Sequence, residues 1–287
     1  MSVSKKVLAL AVGMVTALSV ALVGCSPAAP SSSSSGSSAT SGAATPAAQL
    51  NLVKPGTLTV GSDCDYPPFI ALEGSTPVGF EYEMMEAIAA VVGLEVEYLP
   101  PQNFDSILAS VAAGTKMDVG VSSFTITSER KELVDFTLSY FDSNQAVVAL
   151  KSKGYTSAMD LNGKVVGSQS GTTGSDWVNE NLKAPGTVLK EFNQTSEALA
   201  AMMAGDIEAV FFDEPVAAEQ VKTTYTDAEI VESIATGELY GIAVSKTNTS
   251  LREQLDAALS IIKADGTFDK IFLKYFPDLT PPTLKAA

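Results

Sequence analysis

The sequence has no histidine, two cysteines and one tryptophan among its 287 residues. Without histidine, a Ser-His-Asp or Cys-His catalytic apparatus and every histidine-based metal site are excluded. Two cysteines are too few for a cysteine-rich zinc site or a disulfide scaffold. Lysine and arginine are also scarce, 18 against 33 acidic residues, which gives a net charge of −15. Because a nucleic-acid-binding protein needs clustered cations, no nucleic-acid partner is expected.

The first 24 residues predict an export signal, because Lys5 and Lys6 precede an uncharged apolar run that ends in small residues. The alternative is a permanent transmembrane helix, since the run is long enough nearly to span a bilayer. The run closes on Leu22-Val23-Gly24-Cys25, which resembles the bacterial lipobox. That resemblance implies a lipoprotein signal peptide over residues 1–24 and an acylated Cys25 that anchors the protein outside the cytoplasm.

Residues 25–50 predict a disordered tether, because the segment after Cys25 is rich in serine, alanine and proline and carries no charge. Such a segment has too little apolar surface to offset the entropy of ordering. If Cys25 is acylated, Cys64 has no partner, so no intramolecular disulfide is expected.

From about residue 51 onward, predicted strands and helices alternate, which is typical of an α/β fold with mainly parallel sheets. Apolar residues recur at helical spacing in several segments, and glycine follows at Gly93, Gly114 and Gly205. Thr195 and Ser196 are predicted to cap the helix that Gly205 ends. The predicted strands cover 58–61, 94–99, 117–121, 165–168 and 207–212, and the predicted helices include 80–92, 251–265 and 268–276.

The two halves of this region share one pattern, in which a helix stops at glycine and a short strand follows, ending in polar residues. The strand of the first half leads to Ser123, and that of the second half to Asp213. In open α/β sheets ligands bind at the carboxyl ends of the strands. Two lobes facing each other would therefore place Ser123 and Asp213 on opposite walls of one cleft.

Three segments carry groups that could hold a ligand: 63–69, 122–130 and 167–174. In the second, Arg130 is a permanent cation that can bind a carboxylate through two hydrogen bonds. The alternative for Arg130 is a charge on a helix surface or a salt bridge with Glu129 or Glu132. The third is a glycine-rich turn before a helix, whose backbone N–H groups favour an anion, but it matches no nucleotide-binding motif.

Seven motifs together resemble the extracellular solute-binding proteins of polar amino acid ABC transporters, with a type II periplasmic-binding-protein fold. They are the lipobox, GTLTVGSDCDYPPF, GFEYE, SSFTITSER, VDFTLSYF, VGSQSGTTG and FFDEP. The resemblance implies two α/β lobes, each a mostly parallel sheet flanked by helices, joined by two hinge crossings. It places lobe 1 at 52–142 plus 241–287 and lobe 2 at 143–240.

The resemblance also implies a role for each candidate residue. Arg130 would grip the ligand's α-carboxylate, and Asp213 would pair with its α-ammonium. Asp63 would face the tip of the ligand's side chain. Tyr66 would stack on the side chain, and Phe124 would form the pocket wall. The Ser123 carbonyl and the Thr125 hydroxyl would share the ammonium. The backbone N–H groups of Thr125, Thr172 and Thr173 would complete the binding of the carboxylate.

The sequence thus predicts a binding protein, not an enzyme, that takes a polar or cationic amino acid and closes on it. Its implied partners are the free amino acid, a permease with its ATPase, and the membrane through the lipid anchor. A monomer is expected, without cofactor or metal. One alternative is a cyclohexadienyl or arogenate dehydratase on the same fold, and another is a sensory lipoprotein without transport.

Overall fold

The computed structural model of the protein describes residues 50–287. The predicted signal peptide, Cys25 and the predicted tether up to residue 49 lie outside the described residues. Within the described part, no helix has the length and apolar character needed to cross a membrane.

Strands and helices alternate along the described chain, as the sequence predicts. The strands are β1 (Thr57–Gly61), β2 (Asp65–Tyr66), β3 (Ile70–Glu73), β4 (Thr76–Val78), β5 (Glu95–Tyr98), β6 (Val119–Gly120), β7 (Asp135–Phe136), β8 (Phe141–Leu150), β9 (Val165–Gln169), β10 (Val188–Phe192), β11 (Ala209–Asp213), β12 (Ala228–Tyr240) and β13 (Ala243–Val244). The helices are α1 (Phe80–Val92), α2 (Phe104–Ala113), α3 (Ser128–Leu133), α4 (Thr173–Asn181), α5 (Thr195–Ala204), α6 (Glu214–Thr223), α7 (Thr249–Ala264) and α8 (Thr267–Tyr275).

Three helices end at glycines that the sequence marks as stops. Gly93, Gly114 and Gly205 follow α1, α2 and α5, and each adopts the left-handed conformation that closes the last helical turn. The glycine pattern therefore predicted the carboxyl ends of these helices.

The predicted cap of α5 is wrong, because Gln194 is the N-cap. The Gln194 N–H donates to the side chain of Glu197 at 3.3 Å. The Thr195 hydroxyl instead donates to Gln169 Oε1 at 3.1 Å, and the Ser196 N–H donates to Asp65 Oδ2 at 2.9 Å. Both predicted capping residues are thus used in contacts that local sequence cannot reveal.

Two five-stranded sheets form the framework of the two lobes. The first has the order β5-β1-β6-β13-β7 and the second the order β10-β9-β11-β8-β12. In each sheet the first three strands are parallel and the other two join antiparallel. A smaller antiparallel sheet, β2-β3-β4, lies within residues 65–78. The two-lobed α/β fold is confirmed, and each sheet is mixed because one strand, β13 or β8, runs opposite to the other four.

Strands β8 and β12 form the antiparallel part of the second sheet. They pair from Phe141 opposite Tyr240 to Leu150 opposite Ala228. At the Tyr240 end, this ribbon contacts the first lobe through an isolated bridge between Thr125 and Tyr240. Strands that run out of one lobe and back from the other lie side by side in opposite directions, so no crossover helix is needed.

A cluster of aromatic rings packs where the ribbon enters the first lobe. Phe69 lies with its ring centroid 4.7 Å from that of Phe141 and 5.5 Å from that of Tyr240. Phe276, just after α8, lies 4.9 Å from both phenylalanines. Burying a Phe side chain contributes about 1.5–3 kcal/mol. The cluster therefore holds Tyr240, whose hydroxyl reaches the cleft, in a fixed position.

Candidate functional site

A cavity lies between the two lobes, where strands of both sheets end. The first lobe contributes residues after β1 and β6 and from α3, and the second lobe contributes residues after β9 and at the end of β11. The lining residues are Asp63, Tyr66, Phe104, Ser122, Ser123, Thr125, Arg130, Gln169, Thr172, Thr173, Gly174, Thr195, Phe211, Phe212 and Asp213.

The structure brings all but one of the sequence-predicted candidates of the described chain to this cavity. The exception is Phe124, which is fully buried and does not line it. Its ring stacks on Phe104 at 4.7 Å between centroids, and Phe104 forms the cavity wall instead. Sequence reasoning missed Phe104 because its spacing within α2 is that of an ordinary core residue.

Arg130 is positioned by the short helix α3 and by carbonyl oxygens of both lobes. The Thr127 hydroxyl accepts from the Arg130 N–H at 3.1 Å and so caps the helix. The guanidinium donates to the Thr125 carbonyl at 2.8 Å and to the Gly171 carbonyl, in the other lobe, at 3.0 Å. It also lies 5.5 Å from the centre of the Phe104 ring.

These contacts decide against the salt-bridge alternative for Arg130. None of the ion pairs among residues 50–287 includes it. Burial lowers the pKa of Arg130 from its usual value, an effect that the negative charges of Asp213 and Glu238 partly oppose. Of the five N–H donors of a guanidinium, two are used by carbonyls, which leaves others for an anion in the cavity.

Gly171 is the residue through which the second lobe reaches Arg130. Its φ is 73°, and a Cβ at this position would lie 2.9 Å from the Cβ of Asp105 on α2. Only glycine accepts both this backbone conformation and this approach. The next residue, Thr172, caps α4 by accepting from the Ser175 N–H at 3.2 Å. The first N–H groups of α4 have no acceptors within the helix and lie at the cavity.

Asp213 ends β11 and forms the opposite wall. Its carboxylate accepts from the Tyr240 hydroxyl at 2.5 Å and from the Gln145 side-chain amide. Its backbone N–H donates to the Tyr66 hydroxyl, in the first lobe, at 3.0 Å. Burial raises the pKa of Asp213 to about 7, and the negative charge of Glu238 adds to this increase.

A second carboxylate, Glu238 on β12, lies behind the cavity wall and was not predicted from the sequence. It accepts from the Thr125 hydroxyl at 2.6 Å, from the Thr173 hydroxyl at 3.1 Å and from the Gln145 amide at 3.1 Å. The resemblance implies that the Thr125 hydroxyl faces a ligand ammonium. Because its hydrogen is used by Glu238, the hydroxyl can face such a group only as an acceptor. No sequence signal marks Glu238, because it belongs to a long, half-exposed strand.

Asp63 lies toward another end of the cavity, where it is 2% exposed. It accepts from the Ser122 hydroxyl at 2.6 Å and, across the cleft, from the Gln169 amide at 2.9 Å. Gln169 is held in turn by the Asn193 carbonyl at 2.9 Å. Burial raises the pKa of Asp63, although these hydrogen bonds oppose the increase.

Ser123 has a left-handed backbone conformation, with a φ of 51°, that a buried acid stabilises. Glu81 Oε1 accepts from the Ser123 N–H at 2.7 Å, from its hydroxyl at 3.0 Å and from the Tyr140 hydroxyl at 2.5 Å. Burial raises the pKa of Glu81 to about 7. Burial likewise raises the pKa of the free Cys64 thiol to about 11, so it stays protonated and unreactive at neutral pH.

No cluster of acidic or cysteine side chains that could hold a metal ion occurs among residues 50–287.

The arrangement is that of a closed cleft with the Arg130 cation on one wall and the Asp213 carboxylate on the other. Residues 58–278 match the bacterial extracellular solute-binding proteins, family 3. The chain belongs to this family. The family description places this solute-binding protein outside the cytoplasm.

Relatives of this solute-binding protein include the ABC transporter arginine-binding protein 1 of Escherichia coli K12, which is 32% identical over 225 residues, 77% of this chain and 90% of that protein. An ancestral arginine-binding protein bound to arginine is 41% identical, with a TM-score of 0.73 over 77% of this chain and 98% of that one. The ancestral amino acid-binding protein AncCDT-1, a precursor of cyclohexadienyl dehydratase, is 33% identical, with a TM-score of 0.71 over 77% and 96%.

Proposed function

We propose that this solute-binding protein takes up a free amino acid with a cationic or amide side chain, with L-arginine as the first candidate, and delivers it to an ABC-type permease and its ATPase. Closing of lobe 1 (52–142 plus 241–287) on lobe 2 (143–240) holds the ligand. Acylated Cys25 anchors the protein to the membrane, and the protein acts as a monomer.

The observation that carries the proposal is the pairing of Arg130 and Asp213 on opposite walls of one buried cavity. A zwitterion needs a cation for its carboxylate and an anion for its ammonium, because burying either end unpaired costs several kcal/mol. Each lobe supplies one of the two charges. The ligand therefore stabilises the closed arrangement more than the open one, which is the difference that a permease can sense.

The class of side chain follows from the residues around Asp63. Its carboxylate is buried at the cavity and lies in the same wall as the Tyr66 ring. A guanidinium, ammonium or amide group can donate to a carboxylate, and a flat ring can stack beside it. The names of the arginine-binding relatives support the same class.

The test is a thermal-shift screen of the purified protein without its first 49 residues against the twenty amino acids, followed by calorimetry. A ligand that binds only the folded state raises stability by RT ln(1 + [L]/Kd). We expect a large shift with arginine and smaller shifts with other members of the class. The proposal is wrong if no amino acid raises the melting temperature.

We propose that the cleft is not catalytic. A dehydratase needs a general acid aimed at a leaving hydroxyl, and the raised pKa of Asp213 makes it the group to test for that role. Its carboxylate is, however, fixed by Tyr240 and Gln145 beside a second carboxylate, which suits the binding of a cation. Incubation with prephenate or arogenate should give no product, and turnover would favour the enzyme. Genes for a permease and an ATPase beside this one would separate transport from sensing.

A further inference from the structure

Glu238 holds one hydroxyl from each wall of the cleft. Its Oε2 accepts from Thr125, on the side of the first lobe, at 2.6 Å and from Thr173, at the start of α4 in the second lobe, at 3.1 Å. Its Oε1 accepts from the Gln145 amide at 3.1 Å. Glu238 is buried and does not itself line the cavity, whereas both threonines do.

This geometry decides what the two hydroxyls can offer a ligand. A hydroxyl has one hydrogen and two lone pairs, and a carboxylate accepts hydrogen bonds. Because the hydrogens of Thr125 and Thr173 are directed to Glu238, only lone pairs remain for a group in the cavity. The Thr173 oxygen also accepts from Gln145 at 3.1 Å, which uses one lone pair and leaves one for a group in the cavity.

The amide of Gln145 is subject to the same restriction. Its two hydrogens serve three acceptors, namely Asp213, Glu238 and Thr173. Acceptors therefore outnumber donors at this end of the cleft. A group with several hydrogens and no lone pair, such as an ammonium, satisfies the excess, whereas a neutral or acceptor group leaves it unsatisfied.

We propose that Glu238 is a positioning residue that makes the Thr125 and Thr173 hydroxyls acceptors and thereby sets the preference of the cleft for a ligand with an α-ammonium. The inference rests on the proposed function, since it concerns the amino end of the same ligand. It assigns the selectivity for this end to two carboxylates, Asp213 at the cavity and Glu238 behind it.

The experiment compares two ligands that differ only at the α-carbon, L-arginine and 5-guanidinopentanoate, which lacks the ammonium. Calorimetry at pH 8 gives the ratio of their dissociation constants for the wild type and for Glu238→Gln. An amide can donate to Thr125 and turn its hydrogen toward the cavity. We expect the preference for arginine to fall by about tenfold or more, mainly through weaker binding of arginine.

The matched control is Glu229→Gln, on the same strand β12 but away from the cavity, which removes the same charge. It should leave the ratio unchanged. Thr125→Val is the second variant, because it removes one of the two hydroxyls that donate to Glu238 while keeping the charge of Glu238, and it should lower the ratio as Glu238→Gln does. The melting temperatures of the unliganded variants report folding.

The outcomes distinguish this inference from the proposed function on which it rests. A merely structural Glu238 would weaken both ligands equally, and an unchanged ratio in Glu238→Gln or Thr125→Val overturns the inference while the function stands. A wild type that binds no amino acid overturns the proposed function itself. If the screen selects lysine or glutamine, the ligand pair becomes lysine with 6-aminohexanoate or glutamine with 4-carbamoylbutanoate.

Discussion

The two ends of the cavity both contain a buried carboxylate, but their surroundings differ. Asp63 is surrounded by neutral donors, Ser122 and Gln169, which satisfy its charge within the protein. Asp213 also has neutral donors, but it lies close to Glu238, so negative charge and acceptors are in excess. The Asp213 end therefore needs a cation from the ligand, whereas the Asp63 end can be satisfied without one.

This difference indicates which end of the cavity binds the groups common to all ligands and which end selects among the ligands. Arg130 and Asp213 would bind the carboxylate and ammonium that all amino acids share. The Asp63 end would adjust to the side chain. The following experiments test this division, from the largest expected effect to the smallest.

Removing either charge of the Arg130–Asp213 end should have the largest effect. Arg130→Ala and Asp213→Ala each leave a ligand charge buried without a partner, and we expect affinity for the best amino acid to fall by about a hundredfold or more. Calorimetry measures the loss. The control is Arg252→Ala, which breaks a partly buried ion pair with Asp256 outside the cavity lining and should not change affinity. Near-normal binding by Arg130→Ala would refute the assigned site.

Acid should weaken ligand binding through Asp213. Its carboxyl has a pKa of about 7 in the unliganded protein, and an ammonium binds the ionised form. Below pH 7 the proton must be released on binding, so affinity should fall by up to about tenfold per pH unit between pH 7 and pH 5. Calorimetry at several pH values measures this slope. Asp213→Asn should bind weakly at all pH values and show no slope, and a wild type with equal affinity at pH 5 and pH 8 would contradict the assignment.

The stability of the unliganded protein should change in the opposite direction. The pKa values of Asp213 and Glu81 are both raised to about 7, so between about pH 4 and pH 7 the folded state binds more protons than the unfolded state. The free energy of unfolding should therefore rise as pH falls from 8 to 5, by on the order of 3 kcal/mol for each carboxyl. Urea unfolding at both pH values measures it. The Asp213→Asn variant should lack the part of this increase that Asp213 contributes. The Glu73→Gln variant, which removes an exposed acid, should show the full increase.

Changing the Asp63 end of the cavity should alter the selectivity among amino acids more than the affinity for all of them. Asp63→Asn removes a negative charge but keeps a hydrogen-bonding side chain, and we expect arginine to bind about tenfold more weakly while glutamine changes less. Calorimetry with both ligands gives the ratio. Glu95→Gln, an acid in the same lobe away from the cavity, should leave both affinities unchanged. Equal losses for arginine and glutamine would contradict the division between the two ends.

The smallest effect is expected from a contact that closes the lobes without touching the cavity. Asp65 accepts from the Ser196 N–H at the start of α5 at 2.9 Å, across the cleft. Asp65→Ala should make the closed state less populated and weaken every ligand by about the same small factor, roughly threefold to tenfold. Unlike Asp63→Asn, it should leave the preference among amino acids unchanged. A changed preference would place Asp65 in the site.

Much of the fold was predictable because its signals are local. Periodic apolar residues and the glycines at 93, 114 and 205 marked helices and their ends, and they do so whatever the helices pack against. The cap of α5 was not predictable, because Thr195 and Ser196 are used in contacts with Gln169 and Asp65. The antiparallel strands of each sheet depend on where the chain crosses between lobes, and that is not a property of any single segment.

Some residues of the candidate site were likewise predictable from the sequence, and others were not. Arg130 and Asp213 were predicted because the SSFTITSER and FFDEP motifs resemble those of the family, and both residues line the cavity. Phe124 was placed at the pocket wall because the resemblance assigns its position there, yet its ring is buried and stacks on Phe104. Glu238 and Gln145 lie on the strands that join the lobes, where nothing in their neighbourhood marks them.

By itself the sequence determined the class of the protein, the alternation of strands and helices, and the opposite charges that a zwitterion requires. The class follows from the resemblance of ordered motifs to a known family, and the other two depend on residue type and on spacing along the chain. Only the tertiary structure decided which hydroxyl donates to which carboxylate, which acid is satisfied within the protein and which ring faces the cavity. The physical reason is that burial and hydrogen-bond partners are set by residues far apart in the chain, 113 positions for Thr125 and Glu238 and 147 for Tyr66 and Asp213.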